Sequence, residues 1–139
     1  MAQKLKKYST HNNKWLERFF VLHFIIDVSI AVPLFIAPMF FLKILGWHDI
    51  DPVAARLVAS ALFGIGIESY LGRNSSSEAM INMLNLKIIW SLSAIIGIII
   101  SIAESNYETP FLLKLILAVF IFFNLIWIYW RMHLNNDHY

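Results

Sequence analysis

The sequence predicts an all-α integral membrane protein, a four-helix bundle, and three observations predict it. Apolar residues gather in four long blocks. Charged residues make up only 14% of the 139-residue chain against 59% hydrophobic ones, where a soluble domain carries about 25% charged residues. Helix-start signals stand before the second, third and fourth blocks. The mean hydropathy, +0.65, fits the same class. There are no cysteines, so disulfides, thiolate metal sites and dithiol redox chemistry are excluded.

The first block runs from Phe19 to Ala37, the second from Val53 to Leu71, the third from Ala79 to Ala103 and the fourth from Phe111 to Trp130. A helix needs about 20 residues to cross ~30 Å of hydrocarbon, and each block is near or above that length. The first block is not expected to be a cleaved signal peptide: its apolar run is too long, it holds Asp27, and no A-x-A site follows. Pro33 and Pro38 fall late in it, where proline kinks or stops a helix. Pro38 is read as opening a short separate helix, PMFFLKILGW, lying in the membrane interface. Lys43 and Trp47 would anchor it to head groups. A plain continuation of the first span is the alternative.

The second span is opened by Asp51-Pro52, an N-cap followed by proline at the first helical position. Its small residues, Ala55 and Ala59 and then Gly64 and Gly66, allow close backbone approach and suit it as the central, most buried helix. The third span is preceded by Ser75 and Glu78, spaced as a capping box. The fourth is opened by Thr109-Pro110 and ends in Trp127, Tyr129 and Trp130, which read as an interfacial belt.

Basic residues give the orientation. Lys4, Lys6, Lys7, Lys14 and Arg18 precede the first span, Arg73 lies in the second loop and Arg131 follows the fourth span. The first and third loops carry Asp49, Asp51, Glu104 and Glu108. The bias expects a multi-pass protein of the plasma (inner) membrane with both termini cytoplasmic. That divides the chain into a basic cytoplasmic tail (1–18), one four-span transmembrane domain (19–130) and a second cytoplasmic tail (131–139). The basic tail reads as a topology signal. A net charge of only +2 argues against nucleic-acid binding.

Each span also brings a polar side chain to a similar depth. By helical rise Asp27 lies about 13 Å inward from Arg18, His23 about 7 Å, Glu68 about 7 Å from Arg73, Lys87 about 13 Å from Glu78 and Asn124 about 10 Å from Arg131. Charged groups there cost at least ~2.5–3.5 kcal/mol each unless paired or wetted. His23 and Asp27, at i and i+4, share a helix face, and Ser91 continues the face of Lys87. His23, Asp27, Glu68, Lys87 and Asn124 are therefore read as one cluster in the cytoplasmic half. Asp27 is expected to pair with Lys87, with His23 and Glu68 lining the approach. The cluster is either an ion-pair network that fixes the bundle's register or a water-filled pocket that binds a ligand or moves a proton. No metal is expected, since Lys87 competes for the carboxylates, and no cofactor motif is present. An outer set, Arg56 with Asp49 and Asp51, is read as interface anchoring.

The stretch Ile36 to Arg73 resembles the corresponding part of the DoxX-like group of small four-helix bacterial membrane proteins. The resemblance is carried by Pro38, Leu45, Gly46, Asp51, Pro52, Arg56 and Gly66, with Ser60 where a glycine is frequent. It implies four spans and an accessory role, since the group's name comes from a subunit associated with a membrane quinone-reducing complex. No catalytic signature travels with it. The sequence thus predicts a small binding or accessory membrane protein. Its partners would be the lipid bilayer, a hydrophobic or small-molecule ligand, and further copies of itself or a larger membrane complex. A small transporter or proton-conducting unit is the alternative. An intramembrane enzyme is a third, with His23, Asp27 and Glu68 as acid–base groups but no nucleophile.

Overall fold

The computed structural model describes the backbone of residues 2–105 and 110–136, with side chains for 14–105 and 110–134. It is all α: α1 (Ala2–Ile36), α2 (Pro38–Ile44), α3 (Pro52–Leu71), a 3-10 turn (Gly72–Asn74), α4 (Ser77–Glu104) and α5 (Phe111–Asn136). Four stretches are long and apolar enough to cross a membrane: Lys14–Ile36, Pro52–Asn74, Ser77–Glu104 and Phe111–Leu134. The chain is a multi-pass membrane protein built as a helical bundle. The start of α1, the 3-10 turn and the end of α5 share one end, here called the terminal end. α2, the end of α4 and the start of α5 share the other, the loop end.

Local chemistry sets the breaks. α1 passes through Pro33 and stops at Ala37, whose φ of −136° and ψ of 62° leave the helical region. Pro38 then opens α2, so the short element is separate from the first span, as the proline predicts. α2 ends in a Schellman motif. Gly46 adopts φ 92°, its N–H donates to Lys43 O at 3.1 Å, and Trp47 N–H donates to Leu42 O at 3.0 Å. Asp51 caps α3, its Oδ1 accepting from Val53 N–H at 2.8 Å and Ala54 N–H at 3.2 Å. The cap of α4 is Ser76, accepting from Ala79 N–H at 3.4 Å. This moves the start one residue past the expected Ser75–Glu78 capping box and places Glu78 too early in the helix to close it. The expected cap Thr109 lies outside the described residues.

Two buried clusters hold the bundle. At the terminal end Leu16 and Phe20 of α1 pack with Met80, Met83 and Leu84 of α4 and Phe123, Trp127, Trp130 and Leu134 of α5. Toward the loop end Ala31 and Leu34 of α1 pack with Ala55, Ala59 and Leu62 of α3. α1 therefore belongs to both and is the central helix. α3 has the largest buried share of the four spans, but it is not central. Its buried residues, Ala55, Ala59, Leu62, Gly66 and Ser69, form one stripe. That stripe meets α1 so closely that a Cβ on Gly66 would lie 2.7 Å from Asp27 Cβ. Its other face is uncovered.

Trp127 and Trp130 are not interfacial belt residues either. They are 1% and 8% exposed, and of the expected belt only Tyr129, at 60%, faces outward.

Candidate functional site

The polar centre is assembled from three helices. α1 supplies His23 and Asp27, α4 supplies Lys87, and α3 supplies Ser69. Asp27, Ser69 and Lys87 are buried, and His23 nearly so. Lys87 Nζ donates to Ser69 Oγ at 2.5 Å and lies 3.3 Å from His23 Nδ1. Ser69 Oγ in turn donates to Ile65 O at 2.6 Å. The rings of Phe20 and Trp127 flank the ammonium, with centroids 5.4 and 5.1 Å from Nζ. Such contacts are worth more in a desolvated setting than at a surface. His23 stands edge-on to Phe123 and Trp127, at 5.1 and 5.2 Å. Lys87 is thus held by hydroxyl, imidazole and aromatic faces together.

The expected direct ion pair between Lys87 and Asp27 is absent among the described residues, because His23 Nδ1 stands between them. Asp27 Oδ2 lies 2.9 Å from that nitrogen. The contact is within ion-pair distance but misaligned for a hydrogen bond, and Oδ2 is buried with no hydrogen-bond partner. A single ring nitrogen cannot both accept from Lys87 and donate to Asp27. His23 therefore links α1 to α4 in one tautomer and closes on its own helix in the other.

The remaining expected residues divide. Asn124 is buried beside the centre and ties α5 to α4, donating to Ser91 Oγ at 2.8 Å and Ile88 O at 3.2 Å. Ser91 Oγ donates to Lys87 O at 2.6 Å, so Asn124 reaches Lys87 only through the backbone. Glu68 is exposed at the edge of the centre, with its Oε1 3.6 Å from where a Cβ on buried Gly72 would stand, and it makes no direct contact with Lys87. Among the described residues, no three of His, Asp and Glu converge as a metal-binding set.

Arg56 makes no ion pair with Asp49 or Asp51 among the described residues. Arg56 Nε donates to Phe35 O at 3.2 Å, in the last turn of α1, where carbonyls lose their helical donors. Asp51 is occupied as the cap of α3, and Asp49 is exposed.

Sequence reading missed Ser69, the nearest hydroxyl to Lys87, and Phe20, Phe123 and Trp127 as the walls of the centre. The signal for Ser69 was its place on the stripe of Ala55, Ala59 and Gly66. Comparison with known proteins finds no family model, no curated protein and no solved structure that matches the chain.

Proposed function

We propose that the protein is a subunit of a larger membrane assembly and acts by binding. It docks through the uncovered face of α3. The observation that carries this reading is the exposed face of α3, which includes Glu68, a carboxylate within the second span. Arg56, Ser60, Gly64 and Glu68 recur every four residues, so they lie along one face, and all four are exposed. Nothing approaches within 4 Å of where a Cβ on Gly64 would stand. An acid facing lipid is costly, and small residues in a span are where another helix approaches closely. The buried centre serves this role as an internal clasp, holding α1, α3 and α4 in register so that the face of α3 is presented rigidly. The resemblance of Ile36–Arg73 to the DoxX-like group agrees with an accessory subunit and is retained as part of the proposal.

The chain has no cysteine, so Gly64→Cys gives a single reactive thiol. Crosslinking in intact membranes should yield a discrete adduct, with a second copy or with another protein. A cysteine at Ile99, exposed on α4, is the lipid-facing comparison. Equal, diffuse reaction at both positions would end the docking proposal.

One observation favours a second reading, a proton-conducting unit. The orphaned Asp27 Oδ2 and the two roles open to His23 Nδ1 offer alternative places for one proton. Proteoliposomes holding a pH-sensitive dye would then acidify under a membrane potential with the native chain and not with Asp27→Asn. No difference between the two would remove this reading and leave the clasp.

A further inference from the structure

A groove of about 640 Å³ runs along the outside of the bundle between α1 and α5, away from both the polar centre and the open face of α3. Its deep end is apolar, with Phe122, Leu125 and Ile126. Its outer end, at the terminal end of the bundle, is formed by Trp15, Tyr129 and His133. From Phe122 to His133 the helical rise is about 16 Å, close to the length of an acyl chain. Tyr129 and His133 stack with ring planes 5° apart, making a flat wall. The rim is cationic. The Arg18 guanidinium sits 4.9 Å from the Trp15 ring, and Lys14, one turn earlier, is also exposed. The neighbouring acid, Glu17, lies about 160° around α1 from Trp15 and Phe19 and about 60° from Lys14, so Arg18 is the cation nearest the groove. A cationic rim above an aromatic shelf and an apolar trough is the complement of one kind of molecule.

We propose that this groove is a specific site for an anionic glycerophospholipid. One acyl chain lies along Phe122, Leu125 and Ile126, and the phosphate meets Arg18 and Lys14. The two basic side chains distinguish the site from ordinary lipid contact around a span. Each Lys or Arg near a membrane surface raises the affinity for anionic lipid about fivefold, so the pair should give roughly a 25-fold preference over a zwitterionic lipid. The polar centre plays no part, so this site stands or falls separately from the docking face.

The test is native mass spectrometry of the full chain, released from detergent after equilibration with equal amounts of phosphatidylglycerol and phosphatidylcholine. A one-lipid adduct should form, favouring phosphatidylglycerol by roughly 25-fold. Lys14→Gln with Arg18→Gln should bring the two lipids near parity. Leu125→Trp should fill the trough and remove the retained lipid. All three positions are exposed, so these changes leave the buried packing alone. Lys4→Gln with Lys6→Gln and Lys7→Gln should keep the preference. Equal retention of both lipids by the native chain would overturn the proposal, because the adduct would then be ordinary annular lipid. Retention unchanged by Leu125→Trp, or a preference lost with the tail lysines, would overturn it as well.

Discussion

Gly66→Ala tests the packing on which the centre depends. The added Cβ would stand 2.7 Å from Asp27 Cβ and 3.3 Å from Asp27 Oδ2. Carbon atoms in contact sit about 3.5–4.0 Å apart, so the two helices would have to part by about 1 Å. No rotamer change relieves this, because the atom in the way is the Cβ of Asp27. Parting α1 from α3 loosens Ala31 against Ala55 and Ala59, and pulls Ser69 away from Lys87. Overpacking of this kind costs about 1–3 kcal/mol, and the gain in helix propensity returns at most about 1. The expected net loss is about 1–2 kcal/mol. Gly64→Ala is the internal control, two residues away on the same helix. Its Cβ meets nothing within 4 Å, so it should be neutral or stabilising by up to about 1 kcal/mol. Denaturation of both variants in the same detergent should separate them by about 1–3 kcal/mol, with Gly66→Ala the weaker. Equal stability would refute the close approach of α1 to α3 and the geometry drawn around Asp27.

The other predictions concern the clasp and the topology. Lys87→Met should lower stability by about 3–5 kcal/mol, since it strands a buried carboxylate, and adding Asp27→Asn should recover much of the loss. Simply additive losses would show that the two residues are not coupled through His23. Asn124→Leu should cost far less, about 0.6–1.7 kcal/mol, the range of a hydrogen bond between membrane helices; a loss as large as that of Lys87→Met would make Asn124 part of the centre itself. Single cysteines at Ser9, Ser76 and Asn106 report topology: only Asn106 should be labelled from outside intact cells, and labelling at Ser9 would reverse the orientation.

The sequence carried heights better than directions. Helical rise placed His23, Asp27 and Lys87 at compatible depths, and they do meet. By depth Glu68 belongs with them too, yet it is exposed at the edge of the centre while its neighbour Ser69 is buried within it. Adjacent residues differ by about 100° around a helix, which depth alone does not register. The stripe of Ala55, Ala59 and Gly66 held that direction, and its continuation reaches Ser69. The same limit explains Trp127. Its depth suits an interfacial belt, but it lies on one helix face with Phe123, Trp130 and Leu134 and is turned inward. Breaks were legible because they are local: Pro38 separates α2, and Asp51 caps α3. Where His23 would sit between Lys87 and Asp27 was not legible, since it depends on how three helices pack.

We propose that this chain works as part of an assembly joined through α3. The most direct test is the composition of particles cut from native membranes with an amphipathic polymer, weighed singly without detergent. Particles should hold the chain together with a further copy or another protein, and should be reduced to single chains when Gly64 and Ser60 are both replaced by leucine. Particles that hold one 16.1 kDa chain and lipid alone would contradict it.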